Sequence, residues 1–152
     1  MIDPAETYIL FELAGNTYGL PNREVQHLEM IDHITPLPNA PEYVEGVVFT
    51  RGQVIPTVNL RARFGFERAP VTTRTRLIVV NCGTRTVGLI VDSSREFMSI
   101  QAEAIRPAHE AISNVSGDYL QGIAAIGERI ILILKVEELV GFAKVEAASG
   151  RS

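Results

Sequence analysis

A chain of 152 residues with 46% hydrophobic content is long enough to bury a core, as one domain or as two small subdomains sharing an interface. Its formal net charge of -4, with 14 Lys and Arg scattered rather than striped, argues against a nucleic-acid or anionic-membrane partner and favours a protein one. The single cysteine, Cys82, excludes an internal disulfide framework and points to a reducing compartment.

In chain order, the acidic start MIDPAE lacks the basic and apolar regions of a signal peptide, and residues 1–6 read as a flexible terminus. Residues 8–13 form the first strand-like run, and Ala14-Gly15-Asn16-Thr17 reads as a hairpin turn. A short helical piece is expected over residues 22–25. Pro36, Pro38 and Pro41 then stiffen a loop without a hydrogen-bond ladder. Residues 46–50 and 53–58 read as strands around an Arg51-Gly52 turn, with Pro56 requiring an edge or a bulge. Asn59 caps a helical turn that ends at Gly65.

Further along, residues 77–82, 86–91, 96–100 and 130–136 are strand-like, with turns at Cys82-Gly83-Thr84-Arg85 and Ile126-Gly127-Glu128-Arg129. Ser93-Ser94 reads as a turn, and residues 136–142 as a terminal helix with Glu137-Glu138 favourably placed near its N-terminus. The tail over residues 145–152 is small and polar and should fray. Residues 130–134, the longest apolar run, cannot span a bilayer, so a cytoplasmic protein is expected. The fold class is mainly β, with the short helices plugging or capping barrels.

An internal echo divides the chain. Gly19-Leu20 and the segment to Ile31 resemble Gly88-Leu89 and the segment to Ile100, with Arg23-Glu24-Val25 matched to Arg95-Glu96-Phe97. Downstream, Gly46-Val47, Gly52, Val54-Ile55 and Gly65-Phe66 are echoed by Gly122-Ile123, Gly127, Ile130-Ile131 and Gly141-Phe142. Two similar β units are the simplest explanation.

No catalytic constellation stands out. His27, His33 and His109 have no metal-ligand spacing, and neither a nucleophile elbow nor a phosphate loop is present. Neither a metal nor a cofactor is expected. On its own, Arg51 reads as a solvated turn charge, although a guanidinium beside a glycine also presents a fork-shaped donor to a partner carboxylate. Val25, Leu28, Val47 and Ile123 read individually as core; a groove between two barrels lined by such side chains would suit an amphipathic helix.

Several motifs in order carry a resemblance. Tyr18-Gly19-Leu20-Pro21 with Val25-Gln26, Pro38-Asn39-Ala40-Pro41 with Gly46-Val47 and Arg51-Gly52, and Val54-Ile55-Pro56 with Leu60-Arg61-Arg63-Phe64-Gly65 resemble the CheW family of chemotaxis coupling proteins. So do Val87-Gly88-Leu89-Ile90-Val91-Asp92, Ile105-Arg106-Pro107 and Tyr119-Leu120-Gln121-Gly122-Ile123. The resemblance implies one domain over residues 7–144, built as two five-stranded SH3-like barrels packed together. Its division is expected at roughly 15–75 for the first barrel and 7–14 with 76–144 for the second. It further implies an adaptor, recruited to membrane-associated receptor arrays. Such an adaptor links the cytoplasmic helical hairpin of a chemoreceptor, lying in the inter-barrel groove, to the regulatory domain of a CheA-type histidine kinase packed end to end on the barrels. Ring assemblies of such units are also implied. Partner contact is thereby carried over to Val25, His27, Leu28, Val47, Arg51, Gly52 and Ile123.

The chain departs from the family pattern at His27, where Glu is usual, at Phe49-Thr50 in place of Asn-Leu, and at Asn59 and Lys135, where Asp is usual or frequent. Several of these changes remove a negative charge, which suggests a divergent member serving a particular receptor or kinase, with an output other than flagellar motility. Two rivals from other classes are a small β-barrel enzyme using Cys82, His109 and Asp118, and a nucleic-acid-binding barrel. The acidic balance and lack of tryptophan weigh against the latter.

Overall fold

Runs such as Tyr8-Ile9-Leu10-Phe11 are apolar at every position because the strands they form are covered on both faces. The computed structural model describes residues 5–107 and 119–140. The first half contributes strands β1 (Glu6–Leu13) and β2 (Asn16–Pro21), a 3-10 turn at Asn22–Glu24, strands β3 (Val25–Met30), β4 (Val44–Thr50) and β5 (Gln53–Asn59), and helix α1 (Leu60–Arg63). The second contributes β6 (Arg76–Cys82), β7 (Arg85–Val91), β8 (Ser93–Ile100), a 3-10 turn at Ala102–Ala104, β9 (Ile105–Pro107), β10 (Leu120–Ile126), β11 (Arg129–Leu134) and helix α2 (Val136–Leu139).

The strands form a six-stranded sheet, β8-β1-β2-β11-β10-β9, and a five-stranded sheet, β3-β6-β7-β5-β4. Each curls around a small core of its own. In the five-stranded sheet Val48 of β4 packs with Leu77 and Val79 of β6, although two strands lie between them. Its counterpart draws Tyr8 and Leu10 of β1, Ile100 of β8 and Ala124 of β10 together in the same way. The largest core lies between the sheets, where Ile9, Phe11 and Leu20 of one meet Ile78, Val80 and Leu89 of the other. Leu60 of α1 and Leu139 of α2 plug this layer and are fully buried, each contributing about 1.5–3 kcal/mol by leaving water.

The internal echo is a repeat of register as well as of sequence. β5 runs parallel to β7 with Thr57 opposite Gly88, and β11 runs parallel to β2 with Ile133 opposite Gly19. β3 pairs with β6 across a bulge between Val25 and His27, and β8 pairs with β1 across a bulge at the matching place, so Leu28 corresponds to Phe97 and His27 to Glu96. Gly46 and Gly122 each follow a further matching bulge. The halves are exchanged after their first hairpin, since β3, β4 and β5 join the sheet of β6 and β7, and β8 to β11 join the sheet of β1 and β2.

Several expectations are thereby corrected. A division near residue 75 does not follow the sheets: β2 belongs with β1, β10 and β11, whereas β6 and β7 belong with β3, β4 and β5. Arg23-Glu24-Val25 does not correspond to Arg95-Glu96-Phe97, because the bulges align Glu96 with His27. One sheet has six strands, since the short β9 joins β10, while the matching Thr35 makes only an isolated bridge to Val47. Ser93 and Ser94 open β8 and are buried, with the Ser94 hydroxyl donating to the Leu10 carbonyl at 2.9 Å, so they form no turn. Glu6, assigned to the flexible terminus, lies in β1 opposite Ile100 and pairs with Arg23. Pro56 escapes a missing ladder bond because the pairing of β5 with β7 begins one residue later, at Thr57. The expected Gly141-Phe142 pair lies outside the described residues.

Candidate partner interface

Alternation along β3 sends neighbouring residues to opposite faces. Leu28 and Val25 pack, half-buried, against the inter-sheet core, whereas His27 and Glu29 pair with Val79 and Leu77, whose side chains belong to the core of the five-stranded barrel. His27 and Glu29 therefore sit together at the rim of that barrel. His27 Nε2 donates to Glu29 Oε2 at 2.5 Å, and the Thr50 hydroxyl donates to the same oxygen from the end of β4. Burial would push the Glu29 carboxyl up, but hydrogen bonds from Thr50 and His27, with the charges of His27 and Arg51, hold it below the usual range.

Beyond Thr50 the β4–β5 hairpin turns through Arg51 and Gly52, both exposed and both at positive φ, 51° and 79°. Arg51 thus adopts a left-handed conformation that favours glycine and is exposed at the hairpin tip. On either side Phe49 and Val54 face each other across the strands at 75% and 64% exposure. A shallow cleft beside them is lined by Glu29, Met30, His33, Thr35, Phe49 and Leu77. The hairpin consequently presents an apolar pair flanking a cation, a combination suited to holding another protein surface.

The seven candidate contact residues do not converge. His27, Arg51 and Gly52 share the rim and hairpin, whereas Val25 and Leu28 face the inter-sheet layer. Val47 and Ile123 hold equivalent places in different sheets, and Ile123 is only 9% exposed, so it has little surface to offer a helix. Glu29, Met30 and Val54 were missed by sequence reasoning. The two-residue spacing of His27 and Glu29 was the available signal, once residues 25–30 are read as a strand. In the other barrel Phe97 and Ile130 are similarly exposed, beside an ion pair in which Arg129 Nη1 donates to Glu96 at 2.9 Å.

The Cys82 thiol is not activated as a nucleophile. Burial pushes the Cys82 thiol up, and the charges of Glu137 and Glu24 raise it further against the opposing Arg85, which disfavours the reactive thiolate. His109 and Asp118 lie outside the described residues. Among the described residues no group of three or more His, Cys, Asp or Glu is placed to hold a metal, and no helix is long and apolar enough to cross a membrane.

A family model, the CheW-like domain, matches residues 7–144. The chain belongs to the CheW-like family. It is 33% identical over 135 residues to the chemotaxis protein CheW of Klebsiella aerogenes, covering 89% of this chain and 81% of that one. With protein FrzA of Myxococcus xanthus the identity is 25%, across 96% of this CheW-like chain and 92% of FrzA. The fold is similar to the crystal structure of the scaffolding protein TtCheW from Thermoanaerobacter tengcongensis, with a TM-score of 0.81 and 30% identity over 87% of this chain and 90% of that one.

Proposed function

We propose that this CheW-like protein is a scaffold that couples chemoreceptors to a CheA-type histidine kinase and catalyses no reaction itself. The observation that carries this reading is the β4–β5 hairpin, where exposed Phe49 and Val54 flank Arg51 at the end of one barrel. An apolar pair of this kind is stable in water only at the expense of exposed hydrocarbon, and a protein partner would cover it. Phe97 and Ile130 offer a second such place on the other barrel, consistent with kinase regulatory domains packing end to end. The receptor hairpin would lie between the barrels near Val25, Leu28 and Val47, and a cytoplasmic location at membrane-associated arrays follows from that partnership. Coupling then consists in holding receptor and kinase in one geometry, so that a receptor change alters kinase output.

A second, narrower reading is that this member serves a particular receptor or kinase, for an output other than flagellar motility. Two departures from the family pattern, His27 and Thr50, meet on one carboxylate next to Arg51, which supports a coordinated change of surface rather than scattered drift.

Titration calorimetry of the purified protein against the regulatory domain of the CheA-type kinase from the same organism tests the main reading. A one-to-one complex is expected, weakened at least about tenfold by Phe49→Ser or Arg51→Ser, the loss of one interfacial hot spot. Absence of a complex with either this domain or a receptor cytoplasmic hairpin would sink it.

A further inference from the structure

In each curled sheet the strand after the second hairpin partner comes round to meet a matching strand, β3 against β4 in the five-stranded sheet and β8 against the far end of β10, beyond its pairing with β9, in the six-stranded one, and the two contacts differ in chemistry. In the six-stranded barrel Met98 of β8 and Ile126 of β10 both pack on the barrel core. Register places Glu29 and Thr50 at the corresponding positions of the other barrel, since Met98 and Glu29 face Tyr8 and Leu77, and Ile126 and Thr50 pair at the ends of matching hairpins. An apolar closure in one half is thus replaced in the other by a carboxylate that receives the Thr50 hydroxyl and His27 Nε2. Strands β3 and β4 are the two edges of their sheet, so no ladder of backbone hydrogen bonds joins them.

We propose that Glu29 is a positioning residue whose carboxylate ties β3 to the end of β4 and thereby fixes the hairpin that presents Phe49 and Arg51 to a partner. Thr50 directly precedes the Arg51-Gly52 turn, so a rotation of β4 at Thr50 is carried into the direction of Arg51. An ionised carboxylate accepts both hydrogen bonds more strongly than a neutral one, and the charged or titratable groups around it are His27 on its own strand, Arg51 on the hairpin, and Asp32 and His33 lining the adjoining cleft. The partner clause rests on the coupling reading above; the tie itself does not.

Amide hydrogen exchange compares residues 48–54 with the equivalent hairpin at residues 124–130 in the same molecule. In Thr50→Val and in Glu29→Ala, exchange in the first hairpin should quicken by about tenfold while the second is unmoved, as expected for losing a hydrogen bond to a charged group. Thr50→Ser should keep the wild-type rate, because it retains the hydroxyl. Calorimetry on the same samples should show weaker binding of the kinase regulatory domain for Thr50→Val and normal binding for Thr50→Ser. Equal exchange in wild type and Thr50→Val would overturn the tie, as would failure of Thr50→Ser to restore it. If wild type binds no kinase domain, the coupling reading and the partner clause fall, and the exchange rates still decide the tie.

Discussion

Tyr43 and Tyr119 hold the same place in the two halves of the fold and share one cation, with Arg63 lying 4.3 Å from the ring centre of the first and 5.1 Å from that of the second. Their equivalence shows in the backbone: the Tyr43 carbonyl accepts from Asn59 N at 2.7 Å, and the Tyr119 carbonyl from Lys135 N at 2.9 Å. Arg63 also donates to the carbonyls of Glu138 and Leu139, at 2.9 and 3.1 Å, and so stitches α1 to the last turn of α2.

Replacing Arg63 therefore weakens the contact between the halves rather than either barrel. Arg63→Ala should lower stability by about 2 kcal/mol, from the two carbonyls left without this donor and the lost cation–π contact. Arg63→Lys should recover only part, since an ammonium cannot span both carbonyls with a planar fork. Urea unfolding of the three proteins measures the difference.

A second stitch is sensitive to acid. Arg61 Nε and Nη2 donate to the two oxygens of Asp92 at 2.9 and 2.8 Å, and Ala14 N donates to Oδ2 at 2.9 Å. The guanidinium holds the Asp92 carboxyl below its usual range, against the upward push of burial and with the help of Ala14. A depressed folded-state pKa adds stability above the unfolded value and loses it as pH falls through the folded one. Asp92→Asn should thus cost about 1–2 kcal/mol at pH 7, and the gap to wild type should shrink below about pH 4, as followed by thermal unfolding across pH.

Much of the fold was legible because its strands are short, apolar and punctuated by turn residues. Asn59 shows the local code at work: its side chain accepts from Ala62 N, and Gly65 at φ 85° ends the turn. Strand exchange was not legible, because nothing in residues 25–30 or 93–100 states which neighbour they will pair with; that choice is made by packing across the inter-sheet core. Ser93-Ser94 misled for a related reason, since small polar residues suit turns but also suit a bulge where the Ser94 hydroxyl satisfies the Leu10 carbonyl. Of the site, Arg51-Gly52 was visible as a turn, whereas Glu29 acquires its role only when the sheet curls and brings β3 to the end of β4.

Glycine tolerance should differ between the copies. A Cβ on Gly46 would lie 2.1 Å from the Thr35 carbonyl oxygen at a φ of 148°, while one on Gly122 would meet Ile105 Cγ2 at 2.5 Å and the Arg106 carbonyl oxygen at 2.8 Å. Both alanine variants should be destabilised, Gly46→Ala by more, about 3 kcal/mol or above, because clash and backbone strain add. Chemical denaturation of both settles the order.

Stability and recognition should separate at the hairpin tip. Phe49→Ser and Val54→Ser remove exposed side chains and should shift unfolding by no more than about 0.5 kcal/mol. Both should nevertheless weaken kinase-domain binding, which parallel denaturation and calorimetry would separate.

The most direct measurement of coupling is co-sedimentation of the CheA-type kinase with receptor-bearing membranes, with and without this protein. The kinase should enter the pellet to a large extent only when the protein is present, and much less when Phe49→Ser replaces it. Equal sedimentation in its presence and absence, or capture of the protein by only one of the two partners, would contradict a coupling role.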